Sequence, residues 1–338
     1  MKILITGCCG FVGTNLINDF IKEGWLKNGD NQIVGIDDLS HGTYIPEVHD
    51  HIEFYGTDIL DEDSIDLIFK RERPDVVYHF AGLVSIYDCD KRPYDAYLIN
   101  VMGSIRVFNM CCEYKVKHCI FSETSAVYED CPMTTQGYFE FQTNPRTIYA
   151  TTKACVALTA ESYRKTKGLN FTALRYFNIA GPLQDYARTV PPLFAGVILR
   201  YMGDHAPIVF GDGERRRDFI HVDDVNKFHR MIMLNEKTFG ETYNLGTGTT
   251  RSIFEIINEV KTLMNESSTA IIEMPEINGE AFEIKANIDK ARSLGWHPSK
   301  TIEDALNDTY QYLKKEVENG IINPMEFMED LDIEKVKI

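Results

Sequence analysis

The run "ITGCCGFVGTN", residues 5–15, decides how the rest of the chain is read. The apolar stretch "KILITG" ends at Gly7, and glycines return at Gly10 and Gly13 before a segment with helical spacing. Leu16, Ile17, Phe20 and Ile21 then form one apolar face of a helix that Gly24 closes. Glycines at such a strand-to-helix turn let the backbone bend tightly. They also let a pyrophosphate approach the helix N-terminus, where free N–H groups and the helix dipole favour anions. The spacing is GxxGxxG rather than the commoner GxGxxG. Taken alone, the turn is equally compatible with a tight connection that binds nothing.

Working outward, short apolar runs alternate with amphipathic ones through the first 180 residues or so. "KILITG", "QIVGIDD", "IEFYGTD", "VVYHFAG", "KHCIFSET" and "NFTALRYFN" read as strands. "DEDSIDLIFKR" reads as a helix with acids in its first turn, where they suit the dipole. This alternation predicts an α/β fold of the Rossmann type, a doubly wound parallel sheet over residues 1–180. After "NIAGP" the texture changes, with loops carrying Pro182, Pro191, Pro192 and Pro207 between shorter elements. Residues 181–338 are expected to form mainly a smaller mixed α/β unit that binds substrate, with segments near 218–248 returning to the first. The unit includes a helical "SIFEIINEVKTLM", a strand-like "TAIIEMP" and a last helix from about Thr301.

Composition narrows the function classes. A formal charge of −16 argues against a broad nucleic-acid or anionic-membrane footprint, though a local basic pocket remains compatible with a small anionic ligand. The eight cysteines match neither a CxxC zinc spacing nor a disulfide framework, and no metal site is expected. They read as small core hydrophobes. With no apolar leader after Met1-Lys2 and no bilayer-length run, a cytoplasmic, reducing setting is expected.

The glycine turn acquires partners further along. Asp37 ends the second strand, 24 residues after Gly13 (37 − 13), close to the spacing at which a carboxylate takes the adenosine ribose. A carboxylate there repels a 2′-phosphate, which favours NAD over NADP. Asp58 and Ile59 follow the third strand, where a side chain can cap the adenine edge. Ala81 and Gly82 follow the fourth, where a bare backbone lets a cofactor pass close. Tyr149 and Lys153 are four apart and share a helix face. A neighbouring ammonium stabilises a phenolate and lowers its pKa from about 10 toward working pH. Thr124, at the end of the fifth strand, can bond a substrate hydroxyl and relay its proton. A YxxxK pair by itself also occurs as ordinary helix surface.

"TGCCGFVG", "DIL" at 58–60, "HFAG", "SETSAVY", "YATTK" and "LRYFNIAGP" follow one another in an order that resembles the extended short-chain dehydrogenase/reductase family. Within that family the chain resembles the nucleotide-sugar epimerases and dehydratases, the UDP-glucose (UDP-galactose) 4-epimerase group above all. The resemblance spans residues 1 to about 315. It implies NAD held by Gly7, Gly10, Phe11, Val12, Gly13, Asp37, Asp58, Ile59, Ala81, Gly82, Asn100, Ser122, Tyr149, Lys153 and Tyr176. It implies Tyr149 as general base toward a sugar hydroxyl, Thr124 as its partner and Lys153 as electrostatic tuner. Asn178 and Arg217, in "RYFNIAGP" and "RDFIHV", would hold the substrate diphosphate; Arg215 and Arg216 read as a solvated loop face. A homodimer through helices near 93–114 and 149–166 is also implied.

Dehydratases of this group carry an Asp-Glu pair after the threonine, and the acid decarboxylases a Glu at the second following position. Ser125 and Ala126 stand here instead, which leaves reversible oxidation at C4, a 4-epimerase reaction through a 4-keto sugar, as the leading expectation. A nucleotide-sugar reductase, dehydrogenase or dehydratase is the alternative, and a non-catalytic NAD-binding regulatory subunit a third. Three positions depart from the group. Ile277 replaces a second diphosphate arginine, with Arg251 or Lys285 as possible substitutes. Val84 stands where a lysine is usual, and Ile284 falls near the position that limits sugar size.

Overall fold

The computed structural model describes residues 1–27, 29–188, 190–275 and 281–325. Two compact units are interleaved along the chain. The first comprises Met1–Asp130, Glu140–Tyr176 and Val225–Leu245, and the second Cys131–Phe139, Phe177–Asp224 and the chain from Gly246 onward.

The first unit is built on strands β1 (Lys2–Thr6), β2 (Gln32–Asp37), β3 (Glu53–Gly56), β4 (Val76–His79), β5 (His118–Thr124) and β6 (Phe171–Tyr176). A further strand, Glu241–Leu245, completes a seven-stranded parallel sheet by pairing with the free side of β6. The order is Glu241–Leu245, β6, β5, β4, β1, β2, β3. Strand order therefore reverses between β1 and β4, and the C-terminal ends of those two strands open the crevice where such sheets take ligands. The strands read as continuous apolar runs because helices cover both faces. Ile3, Leu4 and Ile5 are all fully buried, each contributing roughly 1.5–3 kcal/mol of transfer free energy.

Helix α1 (Phe11–Lys22) buries Leu16, Ile17 and Phe20 and ends at Gly24, whose φ of +72° no side chain adopts cheaply. Helix α2 (Pro46–His49) is a single turn, and α3 (Glu62–Glu72) starts at Asp61, which accepts a hydrogen bond from the Ser64 N–H. The helix Ile148–Lys167 is capped by Thr147 at one end and by Gly168, at φ +73°, at the other. Residues 93–113 form the expected helix near 93–114, with a π-helical segment inside it. A short helix Pro93–Ala96 leads into a π-helical turn, Tyr97–Gly103, and then Ser104–Glu113. The extra backbone residue in the π turn turns Asn100 inward, and Gly103 leaves room for Ile59, whose Cδ1 would lie 2.5 Å from a Cβ there.

The second unit has its own core of Phe194, Ile198, Leu199, Val209, Ile256, Val260, Leu306 and Leu313, among others. Its helices Ile253–Met264 and Ile302–Glu318 both begin with capping boxes, Ser252 with Glu255 and Thr301 with Asp304. Strand Asn178–Ala180 pairs in parallel with Phe219–His221, and Arg216–Arg217 lies between Arg251–Ser252 and Glu283–Ile284. Ile277 and residues 326–338 lie outside the described residues. Among the described residues no helix is long and apolar enough to cross a membrane.

Candidate active site

Gly7 closes β1 at φ +70°, where an added Cβ would lie 2.6 Å from the Ala81 nitrogen. A Cβ on Gly13 would come within 2.3 Å of the Gly7 carbonyl oxygen. The turn is thus packed backbone to backbone, and larger residues would have to push it apart. Gly10 is the N-cap of α1, supplies no side-chain cap, and is followed by a first turn without acids. Phe11 and Val12 open that helix half-buried, so their N–H groups belong to the set that a helix leaves without intrahelical partners. A cradle shaped by absent side chains, at an uncapped helix start, fits the diphosphate of a dinucleotide.

Asp37 stands at the end of β2 with one carboxylate oxygen on the Cys9 N–H at 2.9 Å and the other on the Leu39 N–H at 2.9 Å. Burial pushes this carboxyl up, and the two N–H bonds oppose the rise. Asp58 is exposed after β3, bonded to the Leu60 N–H, while Ile59 is buried.

Gly82, beyond β4, sits where a Cβ would be 2.9 Å from Asn100 Oδ1 and 3.6 Å from Lys153 Nζ. Asn100 is buried and fully used. Its Oδ1 accepts from the Leu83 N–H at 2.7 Å, and its Nδ2 donates to the Leu83 carbonyl oxygen and to Thr152 Oγ1. It therefore pins the post-β4 backbone to the helix that carries Tyr149 and Lys153. Behind it, Ser104 donates to the Asn100 carbonyl oxygen and also contacts His79, which in turn meets Thr6 at 2.7 Å. Burial holds His79 near a pKa of about 3, with the Lys153 charge adding to the effect, so the ring is neutral.

Lys153 is 5% exposed, and its Nζ donates to the Ser122 carbonyl oxygen at 3.2 Å and to Ser122 Oγ at 3.1 Å. Burial brings the ammonium down to about 8, against the attraction of Glu123. Ser122 and Thr124 are two apart on β5 and so face the same side, the side met by Lys153. Thr124 is buried and accepts the Ala126 N–H at 3.2 Å, opening a 3₁₀ turn Ser125–Tyr128. Tyr149 lies one helical turn before Lys153, half-buried against Leu83, Cys89 and Ala96. Glu123 forms a bidentate pair with Arg175 at 2.8 and 2.9 Å, and Arg175 also donates to Tyr128 Oη at 2.7 Å. Tyr176 is buried at the end of β6, paired with Leu245 on one side and Thr124 on the other, with its hydroxyl 2.7 Å from His229 Nε2 and its ring edge-on to that imidazole.

In the second unit, Asn178 donates from both its backbone and its side chain to the Asp218 carbonyl oxygen, at 3.0 Å each. Arg217 precedes Asp218, is half-buried, and donates to the Arg216 carbonyl oxygen. Asp218 itself is fully buried and accepts from Thr247 N–H and Oγ1, Gly248 N–H and Ala286 N–H. Burial raises it to about 6. It brings Asn178 and Arg217 beside one another, a role that sequence reading missed, although the residue lies inside the quoted "RDFIHV". Arg215 and Arg216 correct an expectation, for neither is a solvated loop face. Arg215 is buried, and Arg216, on the central strand of the short three-stranded sheet, pairs with Glu255 at 3.0 Å. Arg251 is paired with Glu259 and Lys285 bonds the Thr135 carbonyl oxygen. Ile284 is buried opposite Arg217 in the sheet register, and Val84 is exposed.

The sequence profile of the NAD dependent epimerase/dehydratase family matches residues 3–246. The chain belongs to that family. Its members include a UDP-glucose 4-epimerase of Yersinia enterocolitica, 29% identical over 340 residues, covering 93% of this chain and 98% of the relative. Among solved structures, the UDP-glucose 4-epimerase of Thermotoga maritima with UDP-glucose superposes at TM-score 0.87, with 27% identity over 94% of this chain and all of that one. The UDP-glucuronic acid 4-epimerase of Bacillus cereus, in complex with UDP-glucuronic acid and NAD, superposes at 0.82 with 27% identity, over 93% and 99%. As in the rest of the family, NAD is the cofactor.

Proposed function

We propose that this protein is an NAD-dependent 4-epimerase of a nucleotide diphosphate-linked hexose, acting on UDP-glucose and UDP-galactose or on their N-acetylated pair. The observation that carries this reading is the strand end Thr124-Ser125-Ala126 beside the Tyr149–Lys153 helix face. It offers one threonine, one phenol and one ammonium, and no carboxylic acid follows the threonine. A dehydratase needs an acid and a base to remove water from C5 and C6, and those two positions supply neither.

In this reading Tyr149 takes the proton of the C4 hydroxyl, which Thr124 orients through its Oγ1. The Lys153 ammonium, desolvated and held on Ser122, stabilises the phenolate through the reaction. Bound over the Gly7–Gly13 turn, NAD supplies a reversible hydride acceptor at C4. Tyr149 returns its proton once the 4-keto sugar has presented its other face. In the second unit, Asn178 and Arg217 are the donors proposed for the diphosphate, the guanidinium as a forked clamp.

The test is incubation with a panel of UDP-, GDP- and dTDP-hexoses without added cofactor, with products read by NMR. Interconversion of C4 epimers to one ratio from either side is expected. Turnover that requires added NADH and stops at one product would overturn the reading in favour of a reductase. The proposal extends to a homodimer in the cytoplasm. Tyr94 at 75% and Leu158 at 73% exposure, on the helices Pro93–Ala96 and Ile148–Lys167, support a covered face. Light scattering at micromolar concentration tests it, and a monomer would refute it.

A further inference from the structure

The glycine turn holds a chemistry that dinucleotide binding does not use. Cys8 and Cys9, the two residues between Gly7 and Gly10, are both buried, and His49 of α2 is fully buried beside them. The two sulfurs and a ring nitrogen all lie within 4.8 Å of one another. Two glycines clear the space. A Cβ on Gly35 would lie 2.7 Å from Cys8 Sγ, and one on Gly42 would lie 2.7 Å from the Cys9 carbonyl carbon.

We infer that Cys8, Cys9 and His49 form a site for a soft divalent cation of the zinc type, clipping the glycine turn to the segment after β2. The separation of the sulfurs is one that a shared metal requires, and one that two sulfurs in van der Waals contact also adopt. Two thiolates on one tetrahedral zinc, each at about 2.3 Å, lie about 3.8 Å apart. Here Cys8 Sγ and Cys9 Sγ are 3.8 Å apart. The imidazole ties the two segments together. Its Nδ1 accepts the Ile45 N–H at 2.9 Å and lies 3.0 Å from the Ile45 carbonyl oxygen, while its Nε2 donates to the Cys8 carbonyl oxygen at 3.0 Å. Metal binding would move the ring proton from Nε2 to Nδ1, which then donates to the Ile45 carbonyl oxygen as the second nitrogen of a metal-bound histidine does. Three soft ligands leave the fourth tetrahedral position to water. Binding releases the two thiol protons to solvent and involves no redox step.

The metal would join residues 41 apart in the chain at the point where β1 enters α1. Cys9 also donates its N–H to Asp37, so a cation on its sulfur fixes the strand end on which the proposed ribose carboxylate stands. The inference rests on the geometry of this turn and not on the assignment of the reaction.

The test is titration of the reduced full-length protein with Co²⁺ as a spectroscopic stand-in, followed by displacement with Zn²⁺. One equivalent should bind, with an intense thiolate charge-transfer band and the strong d–d bands of a tetrahedral site. Replacing an outer-sphere partner weakens such sites by about 10–100-fold, so C9S and H49N, which remove ligands, should lose more than about 100-fold in affinity. C8S/C9S should lose the band altogether. Circular dichroism of the metal-free variants shows that they are folded, and C8A provides a second variant if one is not. Weak octahedral bands without a sulfur transition, or a band that survives in C8S/C9S, would overturn the assignment. Uptake is read without substrate, so its failure and a failure of the epimerase reading are told apart.

Discussion

Replacing Lys153 by methionine is expected to stabilise the protein near neutrality while it disables the proposed base. The side chain is 5% exposed, and burial brings its pKa from 10.5 to about 8. At about 1.4 kcal/mol per pH unit, holding that charge in the folded state costs about 3 kcal/mol. Below about pH 8 both the folded and the unfolded protein carry the proton, so the whole cost applies. Between about pH 8 and about pH 10.5 the unfolded chain binds more protons than the native one, so stability rises with pH and the cost disappears. Methionine keeps an apolar stem but gives up the two bonds to Ser122, at 3.1 and 3.2 Å. Those bonds contribute about 2 kcal/mol together. The variant should therefore be about 1 kcal/mol more stable than its parent at about pH 7, and this advantage should fall by about 2 kcal/mol and change sign by about pH 9.5. Urea denaturation of both proteins, freed of NAD, at the two pH values measures the difference, and titrations common to both cancel. A gap that is the same at both pH values, or a variant already weaker at neutrality, would refute the reasoning.

Tyr149→Phe should lower turnover at least about 100-fold while the purified protein keeps its NAD, and near-normal turnover would remove Tyr149 as the base. Gly13→Ala puts a Cβ 2.3 Å from the Gly7 carbonyl oxygen, so the turn must open and NAD retention should be lost. NAD content equal to the parent's, measured after denaturing the protein, would contradict the backbone cradle. Glu123→Gln breaks a pair whose side chains are 1% and 4% exposed and should cost about 3–5 kcal/mol in denaturation, whereas a loss below about 1 kcal/mol would mean that the guanidinium finds other partners. Arg217→Ala should raise the substrate KM at least about tenfold with NAD affinity unchanged, and an unchanged KM would exclude the clamp.

Much of the first unit was legible because its signals are local. Each strand is an apolar run bounded by turn residues, and α1 and α3 announce themselves by periodicity and caps. Tyr149 and Lys153 could be paired from a spacing of four, and Thr124 from its place after an apolar run. Residues that act through long-range contacts were not legible as such. Asn100 depends on a π turn that no propensity encodes, and His79 reads from sequence as one more strand residue. The charge of Arg215 suggested solvent, but the residue directly precedes the central strand of a three-stranded sheet and is buried. Cys8, Cys9 and His49 escaped because the ligand spacings that can be read from a sequence assume contacts close along the chain. His49 meets the cysteine pair only through the fold.

The strand Glu241–Leu245 makes the chain difficult to divide. It fills the free side of β6, and the Phe177–Asp224 stretch of the second unit intervenes in the sequence before it. A gene fragment ending after β6 would encode six of the seven strands and leave a row of unpaired backbone groups along a buried-type apolar strand. Expressed alone, such a fragment is expected to aggregate. During synthesis the same edge stays open until residue 245 has left the ribosome. Nascent chains should therefore depend on chaperones over that interval, even though most of the first unit has already been made.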